Sequence, residues 1–114
     1  MRTQIDGAAA EVVRSYLLAA AQEMKATLVR TAFNPVIYEV LDFGISMYDR
    51  NLDLTAEAPG LTMFLGANDY SVRKVVEYLG VDAFDDGDIV ISNYPYWNAA
   101  HTYDASLIAP VFVP

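Results

Sequence analysis

The sequence contains no cysteine among its 114 residues. This absence excludes disulfide bonds, thiolate zinc sites and cysteine nucleophiles in this chain, and it is typical of the reducing cytoplasm, where we expect the protein to reside. Positive charge is also scarce, since 7 Lys and Arg residues stand against 15 Asp and Glu residues and the net charge is -8. A basic surface for nucleic acid is therefore not expected.

Several familiar segments and motifs are missing as well. No run approaches the roughly 18 to 20 apolar residues that a membrane-spanning helix needs, so no membrane segment is expected. The sequence has neither the G-x-x-x-x-G-K-[ST] nor the G-x-G-x-x-G phosphate loop, and it lacks the G-x-S-x-G motif of serine hydrolases. The chain is therefore not expected to bind a nucleotide through either loop.

Apolar residues are abundant by contrast. They make up 54% of the chain against 19% charged residues, and the mean hydropathy is +0.22. A domain of this length buries only roughly two thirds of the surface that its unfolded chain exposes. We therefore expect part of the apolar surface to contact another domain or subunit.

The N-terminal third predicts a long amphipathic helix over residues 8–30. Asp6 is the candidate N-cap, and the Asn34-Pro35 pair is expected to end the helix, because the residue before a proline favours extended backbone. Spacing of three and four residues predicts that the helix packs on the core through one apolar face, formed by Val13, Tyr16 or Leu17, Ala20, Met24 and Leu28.

The remainder of the chain predicts a hairpin, a second helix and two buried strands. The helix covers residues 70–79, with Asn68 or Asp69 as its cap and Gly80 as its end. β-branched and other apolar residues predict the strands, which are 43–48 and 52–55 for the hairpin and then 89–92 and 105–113. This order indicates an α+β fold. Because the sequence stops after an apolar strand, residues 1–114 are expected to be a single incomplete domain.

The irregular segment 93–104 holds most of the side chains that can carry chemistry. His101, the single histidine of the chain, and Asp104 form an H-x-x-D pair. Their nitrogen and oxygen can reach one divalent ion, or they can bind each other as a structural pair. A metal centre normally needs at least three protein ligands, so a further ligand must be a carboxylate of this chain or lie outside it. Three carboxylates are candidates for a general base, although such groups are ordinarily solvated, namely Glu39, Asp42 and Glu57.

Large aromatic residues are concentrated in the same segment, namely Tyr94, Tyr96, Trp97 and Tyr103. Such rings can wall an apolar pocket, or they can anchor the loop onto its own strands or onto a partner. We expect Asn93, Tyr96 and Trp97 to contact a small-molecule substrate.

Several ordered blocks resemble one known family. EMKATLVRTAFNP at 23–35 is similar to its pattern E-M-x-x-T-L-x-R-T-A-F-[SN]-P, and EVLDF at 39–43 is similar to E-R-x-D-F-[SG]. The hairpin region adds MYD at 47–49 and AP at 58–59. GDIVISNYPY at 87–96, with His101 and Asp104, resembles G-D-V-x-x-x-N-D-P-Y-x-G-G-T-H-x-x-D. This is the hydantoinase B/oxoprolinase family, which includes the large subunits of acetone and acetophenone carboxylases.

The resemblance implies that His101 and Asp104 are metal ligands, with manganese as the expected ion, zinc or iron as alternatives, and a further histidine beyond residue 114. It implies that ATP is bound by a partner subunit or domain of hydantoinase A type, which phosphorylates a carbonyl or bicarbonate. Family members are several times longer than this chain. We therefore expect an N-terminal fragment that is inactive alone and works in a hetero-oligomer.

The sequence departs from the family pattern at positions that bear on the substrate. Tyr94 replaces an aspartate, Asn98 and Ala99 replace two glycines, and Gly60 and Phe64 replace the histidines of an A-P-H-x-x-x-H block. These changes favour a more apolar site, which suits a ketone better than a hydantoin.

Three functions stay open: the metal-binding subunit of an ATP-dependent hydrolase of cyclic amides, a ketone carboxylase subunit, and a non-catalytic fragment that docks a partner.

Overall fold

A computed structural model describes residues 6–98 and 101–113 of the chain. They form two compact units, the first ending at Leu65 and the second beginning at Gly66. Helices combined with two separate two-stranded antiparallel sheets confirm the α+β prediction. No helix in the described residues is long and apolar enough to cross a membrane. The elements are α1 (Gly7–Thr31), α2 (Pro35–Tyr38), β1 (Ser46–Tyr48), β2 (Leu54–Glu57), α3 (Ala67–Leu79), β3 (Val90–Ser92), α4 (Pro95–Asn98) and β4 (Ser106–Ile108).

Helix α1 confirms the prediction for residues 8–30. The Asp6 carboxylate accepts a hydrogen bond from the Ala8 N–H at 3.0 Å, which satisfies one of the donors left open at a helix start. The helix ends where Ala32 becomes extended, shortly before Asn34. Asn34 then caps α2 by accepting from the Val36 N–H at 3.0 Å. The sequence did not predict α2, because four residues are too few to show a helical period.

The predicted hairpin is present, with shorter strands than expected. Met47 lies opposite Ala56, and a bulge follows Met47. In the turn, Oδ1 of Asp49 accepts from the N–H of Asn51 at 2.8 Å and of Asp53 at 3.0 Å. The Asp49 side chain thereby replaces water as the partner of two turn amides, which explains why this polar connection closes the hairpin.

Helix α1 packs on the hairpin through small side chains. The core contains Ala21, Ala56 and Ala58, and they are surrounded by Leu17, Leu18 and Met47. Of the predicted apolar face, Leu17 packs on this core. The prediction is wrong for four other members, which are exposed: Val13 (57%), Tyr16 (74%), Met24 (49%) and Leu28 (36%). Facing alanines let the helix approach the sheet closely, so the turn that carries Ala21 contacts β2, with Leu17 and Leu18 packed beside it.

Helix α3 of the second unit lies between two glycines with positive φ. Gly66 precedes it with φ 69° and Gly80 ends it with φ 85°, a region that glycine adopts without steric cost. Gly80 was predicted as the end, but the prediction of Asn68 or Asp69 as the cap is wrong, because both lie inside the first turn. Asp69 Oδ2 instead lies 3.1 Å from Nε of Arg73, one turn later.

Strands β3 and β4 form the second antiparallel pair, and each is half buried rather than buried. Ile91 lies opposite Leu107, and these two side chains are 68% and 67% exposed. The other face carries Ser106, whose Oγ accepts a hydrogen bond at 3.1 Å from the buried Ser71 of α3. A two-stranded sheet has two faces, and α3 covers one of them, so alternate residues are exposed.

Candidate functional site

Residues 93–104 connect β3 to β4, and the antiparallel pairing brings the two ends of this segment together. Ser92 at the end of β3 lies opposite Ser106 of β4. Just after β3, Nδ2 of Asn93 donates a hydrogen bond to the Thr102 carbonyl at 3.2 Å. The predicted substrate residue Asn93 therefore ties the start of the segment to the residue next to His101. Ala99, one of the departures from the family pattern, lies outside the described residues.

His101 and Asp104 are side by side, as the H-x-x-D spacing predicts. Nε2 of His101 lies 3.7 Å from Oδ1 of Asp104, and the two side chains are 65% and 35% exposed. The Asp104 N–H donates to the His101 carbonyl at 3.1 Å, so a short backbone turn brings the two residues together. Both polar groups are accessible from solvent, and a distance of 3.7 Å is too long for a strong hydrogen bond.

The backbone also orients the imidazole ring. Nδ1 of His101 accepts a hydrogen bond from the Tyr103 N–H at 3.2 Å, so Nε2 is the nitrogen that faces Asp104. Because Nδ1 accepts this hydrogen bond, the proton of the neutral ring is on Nε2, which can donate towards Asp104. Coordination of a metal through Nε2 requires the ring to release the Tyr103 N–H and to carry its proton on Nδ1.

The donor set of this pair fits a divalent metal ion. Bonds of about 2.0 to 2.2 Å from one ion place neighbouring ligand atoms roughly 3 to 3.5 Å apart. A small side-chain rotation brings a pair at this separation into range once the imidazole has released the Tyr103 N–H. Imidazole nitrogen with carboxylate oxygen suits manganese, zinc and iron alike. Within residues 6–98 and 101–113, no group of three His, Asp or Glu side chains can hold an ion. Further ligands would therefore have to come from outside these residues.

The other two predicted substrate residues belong to a chain of ring contacts. Tyr94 lies 5.2 Å from Trp97 and 5.3 Å from Tyr96, measured between ring centroids. The ring of Tyr78 on α3 lies 5.6 Å from that of Trp97. Nothing in the sequence pattern singles out Tyr78, because its position in a helix gives no sign that its ring meets a segment some twenty residues later.

The three candidate carboxylates belong to the first unit, whereas His101 belongs to the second. Glu39 follows the last residue of α2, and Glu57 is the last residue of β2. The Asp42 N–H donates to the Val36 carbonyl at 3.0 Å. A role for any of them as a general base stays a prediction.

Comparison with known proteins identifies the family. The sequence profile of the hydantoinase B/oxoprolinase family matches residues 6–114, and the chain therefore belongs to this family. No solved structure matches it.

Three relatives indicate the range of the family. 5-oxoprolinase 1 of Arabidopsis thaliana is 34% identical over 92 residues, which are 81% of this chain and 7% of that protein. The B-type subunit of a putative D-/L-hydantoinase from Pseudomonas sp. (strain NS671) is 30% identical over 112 residues, or 96% of this chain and 19% of that protein. The beta subunit of caprolactamase from Pseudomonas jessenii is 26% identical over 108 residues, or 95% and 18%. The chain spans only 7 to 20% of the length of the curated relatives it matches.

Proposed function

We propose that this chain is part of the metal-binding subunit of an ATP-dependent enzyme that hydrolyses the C–N bond of a cyclic amide. The observation that carries the proposal is the accessible pair of His101 Nε2 and Asp104 Oδ1, 3.7 Å apart, in a chain of the hydantoinase B/oxoprolinase family. The names of the relatives support the substrate class, because 5-oxoproline, a hydantoin and caprolactam all contain an amide within a ring.

His101 and Asp104 would hold the metal, with manganese as the expected ion and zinc or iron as alternatives. A bound divalent ion supplies a Lewis acid that polarises a carbonyl, or lowers the pKa of water for attack. The Asn93 amide holds the segment of chain that carries the imidazole, through its hydrogen bond to the Thr102 carbonyl. Tyr96 and Trp97 would contact the apolar part of the substrate ring.

ATP would be used by a partner subunit or domain of hydantoinase A type. Support for a hetero-oligomer comes from two relatives that are themselves named as subunits and from the amount of apolar surface exposed on this chain. Phe33 is 100% exposed, and Val111 and Val113 are 86% and 87% exposed. Exposed apolar side chains of this size suit contact with another domain or subunit.

The test uses the native complex, recovered from the source organism through an affinity tag on this protein. The complex is incubated with ATP and 5-oxoproline, hydantoin or caprolactam, and the ring-opened product and ADP are measured. We expect stoichiometric formation of both with at least one ring amide, and loss of product in His101→Ala.

The same preparation separates the alternatives. If the complex converts acetone or acetophenone to a product and this reaction requires bicarbonate, the protein is part of a ketone carboxylase and the hydrolase proposal is wrong. If the His101→Ala complex keeps full activity on every substrate, the H-x-x-D pair is structural and the proposed site is wrong. Incubation without ATP is the control for the role of the partner subunit.

A further inference from the structure

The peptide group between Thr102 and Tyr103 is held by two side chains, one at each of its polar ends. Its carbonyl oxygen, which belongs to Thr102, accepts a hydrogen bond from Nδ2 of Asn93 at 3.2 Å. Its N–H, which belongs to Tyr103, donates a hydrogen bond to Nδ1 of His101 at 3.2 Å. Asn93 and the His101 ring therefore bind the same peptide group.

The geometry of a peptide group couples these two hydrogen bonds. Its atoms lie in one plane, and in the trans form the C=O and the N–H point in opposite directions. A rotation of the plane that turns the N–H away from His101 also turns the carbonyl away from Asn93. The Asn93 amide therefore opposes release of the His101 ring by rotation of this peptide.

Polarisation of the peptide acts in the same direction. A hydrogen bond accepted by the carbonyl makes the N–H of the same peptide a stronger donor. The bond from Asn93 thereby strengthens the bond from the Tyr103 N–H to Nδ1. Both effects favour the ring form whose proton is on Nε2, because a protonated Nδ1 would face another donor.

The position of Asn93 connects the turn of the H-x-x-D pair to the sheet. Asn93 directly follows β3, whose last residue Ser92 is paired with Ser106 of β4. The carbonyl that it holds lies nine residues further along the chain. It belongs to the turn that the Asp104 N–H closes by donating to the His101 carbonyl at 3.1 Å.

The hold on the ring is reversible. Asn93, Thr102 and Tyr103 are all exposed, so water can replace either partner when a hydrogen bond opens. Because water competes in this way, one such bond changes an equilibrium by about two- to tenfold.

We propose that Asn93 is a positioning residue that sets the tautomer of His101 and thereby controls metal loading of the H-x-x-D pair. In the metal-free chain it holds the Thr102–Tyr103 peptide so that Nδ1 stays bound and Nε2 keeps its proton. For coordination through Nε2, that nitrogen must give up its proton to solvent, and Nδ1 must take one up and release the Tyr103 N–H. Asn93 opposes this change. Its effect on the tautomer is independent of the proposed function, whereas its effect on metal loading rests on it.

Nitrogen NMR of the full chain tests the tautomer in the absence of metal. His101 is the single histidine, so isotope-labelled histidine gives signals from this ring alone. The spectrum is recorded with a chelator at about pH 8.5, where an imidazole is neutral. In wild type we expect an unprotonated Nδ1 and a protonated Nε2.

Asn93→Leu removes the donor at similar side-chain size. The ratio of the Nε2-protonated to the Nδ1-protonated ring is expected to fall about two- to tenfold in this variant. Thr102→Val is the matched control, because it removes the Thr102 hydroxyl but keeps the carbonyl that accepts the bond, and it should leave the ratio unchanged. Circular dichroism checks the fold of each variant, and Asn93→Ala serves if leucine is not tolerated.

Metal uptake by the native complex tests the consequence. The complex is stripped with a chelator and titrated with manganese(II), and the free ion is measured by electron paramagnetic resonance. Asn93→Leu is expected to bind manganese about two- to tenfold more tightly than wild type, because release of the ring costs less. A merely structural role for Asn93 predicts the opposite, since a loosened loop binds metal more weakly. Thr102→Val should bind as wild type does.

The two readouts distinguish failure of this inference from failure of the proposed function. If the tautomer ratio falls in Asn93→Leu but the wild-type complex binds no metal, the proposed function fails and the control of the tautomer stands. If the wild-type complex binds metal and the ratio is unchanged in Asn93→Leu, the inference alone is overturned. A wild-type ring protonated on Nδ1, or weaker manganese binding by Asn93→Leu, also overturns it.

Discussion

The carbonyl oxygen of Leu41 occupies the space that a Cβ atom on Gly60 would need. A Cβ built at Gly60 would clash with this oxygen and lie 2.8 Å from the Leu41 carbonyl carbon. Leu41 has an unusual φ of 61°, and the neighbouring backbone is held by a bond from the Gly60 N–H to the Phe43 carbonyl at 2.9 Å. The family pattern places a histidine at this position, so the departure at Gly60 is accompanied by a backbone that leaves no room for one.

Gly60→Ala is therefore expected to lower the free energy of unfolding of the full chain by about 1 to 3 kcal/mol, because backbone atoms must move to admit the methyl group. Gly7→Ala is the control, since a Cβ there meets nothing within 4 Å. It should leave stability unchanged or raise it by less than about 1 kcal/mol. Urea unfolding followed by circular dichroism measures both variants, and equal effects would contradict the predicted clash.

Lys25 is expected to stabilise the first unit through its bond to the loop after β2. Its ammonium donates to the Pro59 carbonyl at 2.8 Å in a partly buried position. Lys25→Met keeps the apolar stem but leaves the carbonyl without this donor, which should cost about 1 to 2 kcal/mol.

Lys74→Met is the matched variant for Lys25→Met. The Lys74 ammonium lies 2.6 Å from Oε2 of Glu77 on the exposed side of α3, and ion pairs of this kind contribute little. Urea unfolding should therefore show the larger loss for Lys25→Met. A larger loss for Lys74→Met would show that the bond to Pro59 does not hold the loop.

The hairpin turn should contribute a pH-dependent part of the stability. Hydrogen bonds from the backbone N–H groups of Asp53 and then of Asn51 lower the pKa of Asp49 below its ordinary value of 3.8. A carboxylate whose folded pKa is lowered stabilises the fold above its unfolded pKa, and the stabilisation is lost as the pH falls through the folded pKa. Asp49→Asn should therefore be destabilising at neutral pH, and its difference from wild type should shrink below pH 3.8.

Urea unfolding of Asp49→Asn and wild type at about pH 7 and about pH 2.5 tests whether the stability difference between them shrinks at low pH. Asp86→Asn is the control, because Asp86 lies in another acidic turn and its carboxylate makes no hydrogen bond with the residues that the structure describes. A constant difference between Asp49→Asn and wild type across this range would show that the turn carboxylate does not act through its charge.

Local sequence rules predicted those features that depend on neighbouring residues. Asp6 as a cap, Gly80 as a helix end and the hairpin between the predicted strands 43–48 and 52–55 all follow from hydrogen bonds or backbone conformation within a few residues. The His101 and Asp104 pair is of the same kind, because three residues and one turn suffice to bring the side chains together.

Features that depend on distant contacts were missed. The face of α1 that packs on the core was misassigned in part, because Ala56 of β2 and the nearby Ala58 pack against Ala21 although larger apolar residues of the helix are available. Tyr78 was missed because only the packing of α3 against α4 brings its ring to Trp97. The polar cap predicted for α3 was wrong because the helix already begins at Ala67. The residue before it is Gly66, which has a positive φ that glycine adopts without steric cost.

The metal content of the native complex tests the central claim most directly. Elemental analysis after dialysis is carried out on wild type, on His101→Ala and on Asp86→Asn as a control acidic variant. The proposed function predicts about one manganese, zinc or iron ion per copy of this protein in wild type and Asp86→Asn, and loss of that ion in His101→Ala. The same metal content in His101→Ala as in wild type, or no ion in any of the three, would contradict it.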